Sequence, residues 1–224
     1  MVKLVSLGAQ VKERYYSVIA PLGDLLAKMG IHPHVLTGTG FVLSLLAGLV
    51  FCSGAFFGGA WILAFAGVCD TLDGFVARKT NKQSSLGAFF DSTLDRYSDF
   101  FPFAGMAYHF AGGKPLVGGG GVGEASPWTV LLIILAMAGA FMVSYTRARA
   151  EGLGVECREG MMQRAERVAL LIAGSLLAEI PVAGLFLMRC ALLLLAVASH
   201  GTAISRMIHT RRQLLERTGG RGRK

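Results

Sequence analysis

Residues 69–100 read CDTLDGFVARKTNKQSSLGAFFDSTLDRYSDF. The stretch joins two apolar segments through a short polar connection and plants five carboxylates in or beside them: Asp70, Asp73, Asp91, Asp95 and Asp99. A charged side chain at the centre of a membrane helix costs about 2.5–3.5 kcal/mol on insertion scales. Several of one sign also repel each other. Bound cations offset both costs, and hard oxygen donors suit Mg²⁺ or Mn²⁺. Asp70 and Asp73 are three apart and share one helix face; Asp91 and Asp95 are four apart and share a face of the next helix. The short connection makes the two helices antiparallel neighbours, so the four carboxylates can converge. Their charge balances two divalent ions, and a close pair of metals is the usual apparatus of phosphoryl transfer. Asp99 lies one turn further in and reads as structural, with Arg96 and Arg147 as its expected partners.

The small residues around the acids fit this reading. Gly74 follows Asp73, and Gly87 stands one turn before Asp91 on the same face. Glycine lets backbone approach backbone or ligand closely. Ala77, one turn after Asp73, keeps that face open, and Arg78 is placed to neutralise a phosphate.

Outward from this hairpin the chain reads as an all-α integral membrane protein. It has 224 residues, of which 53% are hydrophobic and only 16% charged, with a mean hydropathy of +0.54. Soluble domains are usually about a quarter charged. Apolar runs near the length a membrane helix needs, about 20 residues, predict six transmembrane helices, at about 35–57, 59–78, 86–110, 128–145, 168–179 and 182–207. The fifth is short. Residues 1–32 interleave charged and apolar residues at helical spacing and lack a signal peptide's pattern. They predict an amphipathic juxtamembrane helix on the cytoplasmic surface. The expected organisation is therefore 1–32 amphipathic helix, 33–209 six-helix catalytic domain and 210–224 basic, frayed cytoplasmic tail.

The net charge of +8 raises the question of nucleic acid. Placement answers it. With a cytoplasmic N-terminus, every Lys and Arg except Lys114 and Arg189 falls on the cytoplasmic side, split among the loops between spans. That is a positive-inside pattern in the cell membrane, with both termini cytoplasmic, and it excludes a nucleic-acid module. Cys52, Cys69, Cys157 and Cys190 have neither disulfide-framework nor zinc spacing, and the five histidines show no ligand spacing.

The pattern Asp70-x2-Asp73-Gly74-x2-Ala77-Arg78-x8-Gly87-x3-Asp91-x3-Asp95 spans 26 residues with eight fixed identities. It resembles the full signature of the CDP-alcohol phosphatidyltransferase family. The resemblance implies that Asp70, Asp73 and Asp91 hold two divalent metal ions, Mg²⁺ or Mn²⁺. Asp95 would complete the site and act as general base on the incoming hydroxyl. Gly74, Ala77, Arg78 and Gly87 would form the CDP pocket, and Thr37, in the run HPHVLTGTG, resembles part of a segment that helps cover the cytidine. The implied donor is CDP-diacylglycerol or a CDP-linked archaeal ether lipid, CMP is the leaving group, and the implied assembly is a homodimer among membrane lipids.

The acceptor is read elsewhere. Arg147, Arg164, Arg167 and Arg206 lie in three basic clusters on the same side as the aspartates. Arginine holds phosphate through its planar fork, so a small phosphorylated polyol is expected. These runs resemble the phosphatidylinositol-phosphate synthase branch, which implies inositol 1-phosphate, with glycerol 3-phosphate as the alternative. Two rivals are weighed against this. Membrane prenyltransferases with paired aspartates lack the Gly-x2-Ala-Arg run. A divalent-cation transporter needs acids spread along a path, whereas here only Glu179 continues into the outer half.

Overall fold

The computed structural model describes residues 2–116, 125–157, 160 and 162–221, and the side chains of 14, 15 and 17–217 within them. The glycine-rich run at 117–124 and the last three residues of the tail lie outside the described residues. The described chain is helical, without strands: α1 (Val2–Lys28), α2 (Pro33–Cys52), α3 (Phe56–Lys79), α4 (Ser85–Phe110), α5 (Pro127–Gly152), α6 (Arg164–Leu177) and α7 (Gly184–Arg221).

Four of these helices stop in the same way. Gly30, Asn81, Gly112 and Gly154 take left-handed φ of 73°, 52°, 82° and 73°. After α1, Ile31 N–H donates to Leu26 O at 3.2 Å and Gly30 N–H to Ala27 O at 3.1 Å. The pairs Lys82→Ala77 and Asn81→Arg78 repeat this after α3, as do Gly113→Tyr108 and Gly112→His109 after α4. Glycine and asparagine tolerate the left-handed conformation that lets the last carbonyls find donors. The stop after α3 therefore places Arg78 and Lys79 on its last turn.

By length and apolarity, four described helices can cross a membrane: Pro33–Cys52, Phe56–Lys79, Pro127–Gly152 and Gly184–Arg217. They present large apolar side chains outward, among them Leu46, Trp61, Ile134 and Leu194, which suits a multi-pass membrane protein. The other two expected spans do not meet these measures. α4 carries Asp91, Asp95, Arg96 and Asp99, and α6 has 14 residues, or about 21 Å at 1.5 Å per residue, against a hydrocarbon core of about 30 Å.

The chain divides into two compact units. One comprises Met1–Leu43 and Phe65–Tyr97. In it Ile19, Leu36, Leu72 and Val76 are buried together, so the inner face of α1 packs on α2 and α3. Phe75 lies against Gly23, and Lys79 pairs with Asp24. Val18, Leu22 and Leu25 occupy the outer face of α1 and are exposed.

The other unit comprises Ser44–Ala64 and Ser98–Lys224. Its core joins Phe51, Phe103, Met106, Ile133, Met188 and Leu192. At the crossing of α2 and α4, a Cβ on Gly105 would strike the carbonyl of Gly48, so only glycine permits that approach. Glu179 accepts from the Phe57 N–H at 3.3 Å, capping the start of α3, which gives this outer acid a structural task. Arg189 donates to Thr129 Oγ1 at 2.9 Å. The expected frayed tail is corrected through Arg221, where α7 remains helical. Leu214 packs against Ala150, Val155 and Cys157, and Arg217 Nη2 donates to Gly154 O at 2.9 Å. Those contacts hold the helix past residue 209.

Candidate active site

Within the first unit, α3 supplies Asp70 and α4 supplies Asp91 and Asp95. One ligand oxygen from each lies within 4.8 Å of the other two, and all three residues are half-buried. At an effective dielectric near 20, two unit charges at this separation repel by roughly 3 kcal/mol, and the cluster contains three such pairs. Three carboxylates from two helices are a hard-oxygen donor set that fits a divalent cation. The geometry also follows from local sequence: spacings of three and four hold the acids on the facing sides of one helical hairpin.

Asp73 is treated differently. It is 6% exposed, and its Oδ2 accepts from Thr37 Oγ1 at 2.8 Å. Asp70 and Asp91 are its electrostatic neighbours, but it is not in the group of three. Thr37, expected over the cytidine, thus touches an aspartate directly. Arg96 Nη2 reaches Asp95 Oδ2 at 3.5 Å.

The signature glycines have little room. Above Gly74, a Cβ would come within 3.3 Å of Arg78 Nη1, so the exposed Arg78 side chain folds back over it. At Gly87 the N–H donates to Ser84 Oγ at 3.0 Å, and an added Cβ would lie 3.0 Å from that oxygen and 3.2 Å from the His34 ring. Ala77 is half-buried between these features in sequence.

The second unit collects the arginines. Asp99, 8% exposed, accepts from Arg167 Nη2 at 2.9 Å and from Arg164 Nε at 3.2 Å. Arg167 also donates from Nη1 to Met162 O at 3.3 Å. Arg206, 3% exposed, donates from Nη1 to Val143 O at 2.6 Å. Arg147, Arg167 and Glu151 are electrostatic neighbours of Arg206. Arg147 itself is half-exposed and donates to Glu151 at 2.8 Å, one turn along α5. The expected pairing of Asp99 with Arg96 or Arg147 is therefore corrected. Each of those arginines has a carboxylate adjacent or one turn away, while Asp99 is met by α6. Partners 65 and 68 residues distant leave no local signal.

The profile described as CDP-alcohol phosphatidyltransferase matches residues 30–202. Archaetidylinositol phosphate synthase of Methanothermobacter thermautotrophicus is 38% identical over 201 residues, covering 88% of this chain and 90% of that protein. A crystal structure of Mycobacterium tuberculosis phosphatidylinositol phosphate synthase with CDP-DAG bound superposes with a TM-score of 0.74 at 28% identity, covering 87% of this chain and 94% of that one. A second structure of that enzyme, in complex with manganese and citrate, has a TM-score of 0.73 at 28% identity and covers 86% and 88%. The chain belongs to the CDP-alcohol phosphatidyltransferase family. It is a membrane transferase whose acidic cluster fits the divalent metals that family chemistry uses.

Proposed function

We propose that this chain transfers a phosphatidyl group from CDP-diacylglycerol to a hydroxyl of inositol 1-phosphate and releases CMP. The observation that carries the reading is the convergence of Asp70, Asp91 and Asp95 within 4.8 Å. Asp70, Asp73, Asp91 and Asp95 would hold two divalent ions, Mg²⁺ or Mn²⁺, which would supply positive charge for the diphosphate and the departing CMP. Asp95 takes the proton of the acceptor hydroxyl as its oxygen bonds to the lipid-bearing phosphorus. The bond from that phosphorus to CMP breaks, and CMP carries away the electron pair. Gly74, Ala77, Arg78, Gly87 and Thr37 line the CDP pocket, where the absence of side chains at the glycines lets backbone approach the diphosphate.

Arg147, Arg164, Arg167 and Arg206 hold the acceptor's own phosphate. The support is the proximity of Arg147 and Arg167 to Arg206 and the anchoring of Arg164 and Arg167 by Asp99. The ether-lipid donor is the second reading, favoured by the archaeal relative's name. In this reading α2 to α7 are six membrane spans, 1–32 lies on the cytoplasmic surface, 33–209 is the catalytic domain, and 210–224 is cytoplasmic. The active site opens to the cytoplasm of the cell membrane, and the enzyme works as a homodimer.

The test is CMP release by the purified protein with Mn²⁺ or Mg²⁺. CDP-diacylglycerol and its ether analogue serve as donors, and inositol 1-phosphate, glycerol 3-phosphate, free inositol and serine as acceptors. Turnover fastest with inositol 1-phosphate and absent with EDTA supports the reading. Faster turnover of serine or free inositol sinks the acceptor assignment.

A further inference from the structure

A groove of about 470 Å³ opens between the last turns of α5 and the segment of α7 beside them. From α5 it takes Met142 and Arg149, from the residue that follows it Leu153, and from α7 Met207, Arg211 and Leu215. Both helices are long and apolar enough to cross a membrane, and both run toward this end. Along each, a methionine comes first and an arginine follows. Met142 precedes Arg149 by seven residues and Met207 precedes Arg211 by four, or about 10 and 6 Å of helix rise. The apolar floor therefore begins deeper in the span, and the charge lies toward its basic end.

The polar groups of the groove differ in availability. Thr146 Oγ1 donates to Met142 O at 2.7 Å and Thr210 Oγ1 to Arg206 O at 2.8 Å, so both hydroxyl protons are used within their own helices. Nearby Arg147 is held by Glu151, and Arg217 by the Gly154 carbonyl. Arg149 and Arg211 are exposed and make no hydrogen bond or ion pair among the described residues. Two uncommitted guanidiniums over an apolar trough match one chemistry: a phosphate carrying an alkyl chain. Guanidinium forks bind phosphate oxygens in pairs, and methionine adapts to an irregular chain.

We infer that this groove is a binding site for an acidic membrane phospholipid, its phosphate on Arg149 and Arg211 and an acyl chain along Met142 and Met207. The site is separate from the residues assigned to donor and acceptor above, and it does not depend on the identity of the acceptor. An acidic head group is selected because a zwitterionic one brings a cation toward the same two arginines. The membrane supplies this ligand where the two helices leave it.

The test uses the full-length protein in phosphatidylcholine nanodiscs containing a trace of phosphatidylglycerol with a photoactivatable acyl chain. Peptide mapping should find the label on 142–153 and 207–215. Unlabelled phosphatidylglycerol should reduce it at least fivefold, and additional phosphatidylcholine or inorganic phosphate should not. The double variant R149Q/R211Q should lose at least fivefold of the label, and R149K/R211K should retain most of it. Elution volume and melting temperature report that both variants fold. Should R149Q/R211Q misfold, the competition and lysine arms decide alone. Equal competition by phosphatidylcholine overturns the inference, as does competition by phosphate or label unchanged in R149Q/R211Q. Crosslinking of a second copy through the groove, with no lipid label there, overturns it as well.

Discussion

Arg167 donates from Nη2 to Asp99 Oδ2 at 2.9 Å, and the two side chains are 4% and 5% exposed. Arg164 completes the carboxylate's environment from the same turn of α6. Removing one member of a buried ion pair leaves the other charge enclosed without compensation, at a cost of about 3–5 kcal/mol. Asp99→Ala is therefore expected to lower the melting temperature in detergent by roughly 10 °C, since each kcal/mol is worth about 2–4 °C in a chain of this size. Asp99→Asn should lose less stability but raise the acceptor KM more than the donor KM, because Arg167 loses its orientation. Equal effects on both KM values would assign Asp99 to stability alone.

Asp95 and the acidic trio make a second prediction. Asp95→Asn keeps the shape and removes the base, and general-base catalysis contributes about 10²–10⁴-fold. CMP release should fall by at least 100-fold. Asp91→Ala should instead raise the Mn²⁺ concentration needed for half-maximal rate, and EDTA should abolish turnover of the parent. Manganese binding followed by electron paramagnetic resonance separates the two: strongly weakened in Asp91→Ala, which loses a ligand, and less so in Asp95→Asn, whose amide oxygen can still reach the metal.

Thr37 donates to the buried Asp73 at 2.8 Å. Valine matches threonine in shape and leaves that carboxylate oxygen short of a donor. Hydrogen bonds to charged groups are worth about 1.5–3 kcal/mol. Thr37→Val is expected to reduce stability within that range when metal is absent, and to lose less when Mn²⁺ is saturating. Thermal unfolding with and without the metal measures the difference, and an identical loss in both conditions argues against metal near Asp73.

At the α2–α4 crossing, a Cβ on Gly105 meets the backbone of Gly48. Overpacking of this kind costs about 1–3 kcal/mol. Gly105→Ala should lower the melting temperature by several degrees while leaving the ratio of rates with inositol 1-phosphate and glycerol 3-phosphate unchanged. A shifted ratio would tie the crossing to acceptor choice.

Arg206→Lys tests the acceptor site. Lysine keeps the charge but loses the planar fork. The KM for inositol 1-phosphate should rise about tenfold, with the KM for CDP-diacylglycerol unchanged. A matching rise for the donor would move Arg206 out of the acceptor role.

Much of this protein is determined by short-range pattern. The acids at 70, 73, 91 and 95 recur at helical spacing across one tight connection, so helix geometry already implies the convergence that Asp70, Asp91 and Asp95 show. Apolar run length set four of the spans, and Gly and Asn after α1, α3, α4 and α5 mark where helices end. The spans at α4 and α6 do not follow from run length, because α4 trades apolarity for its acids and α6 is short. Only the tertiary structure decided that Thr37 holds Asp73, that Arg164 and Arg167 reach Asp99 across more than sixty residues, and that Leu214 keeps α7 helical beyond 209. The reason is physical. A periodicity of 3.6 fixes which side chains share a face of one helix, but which distant face meets it depends on packing, and packing has no local signature.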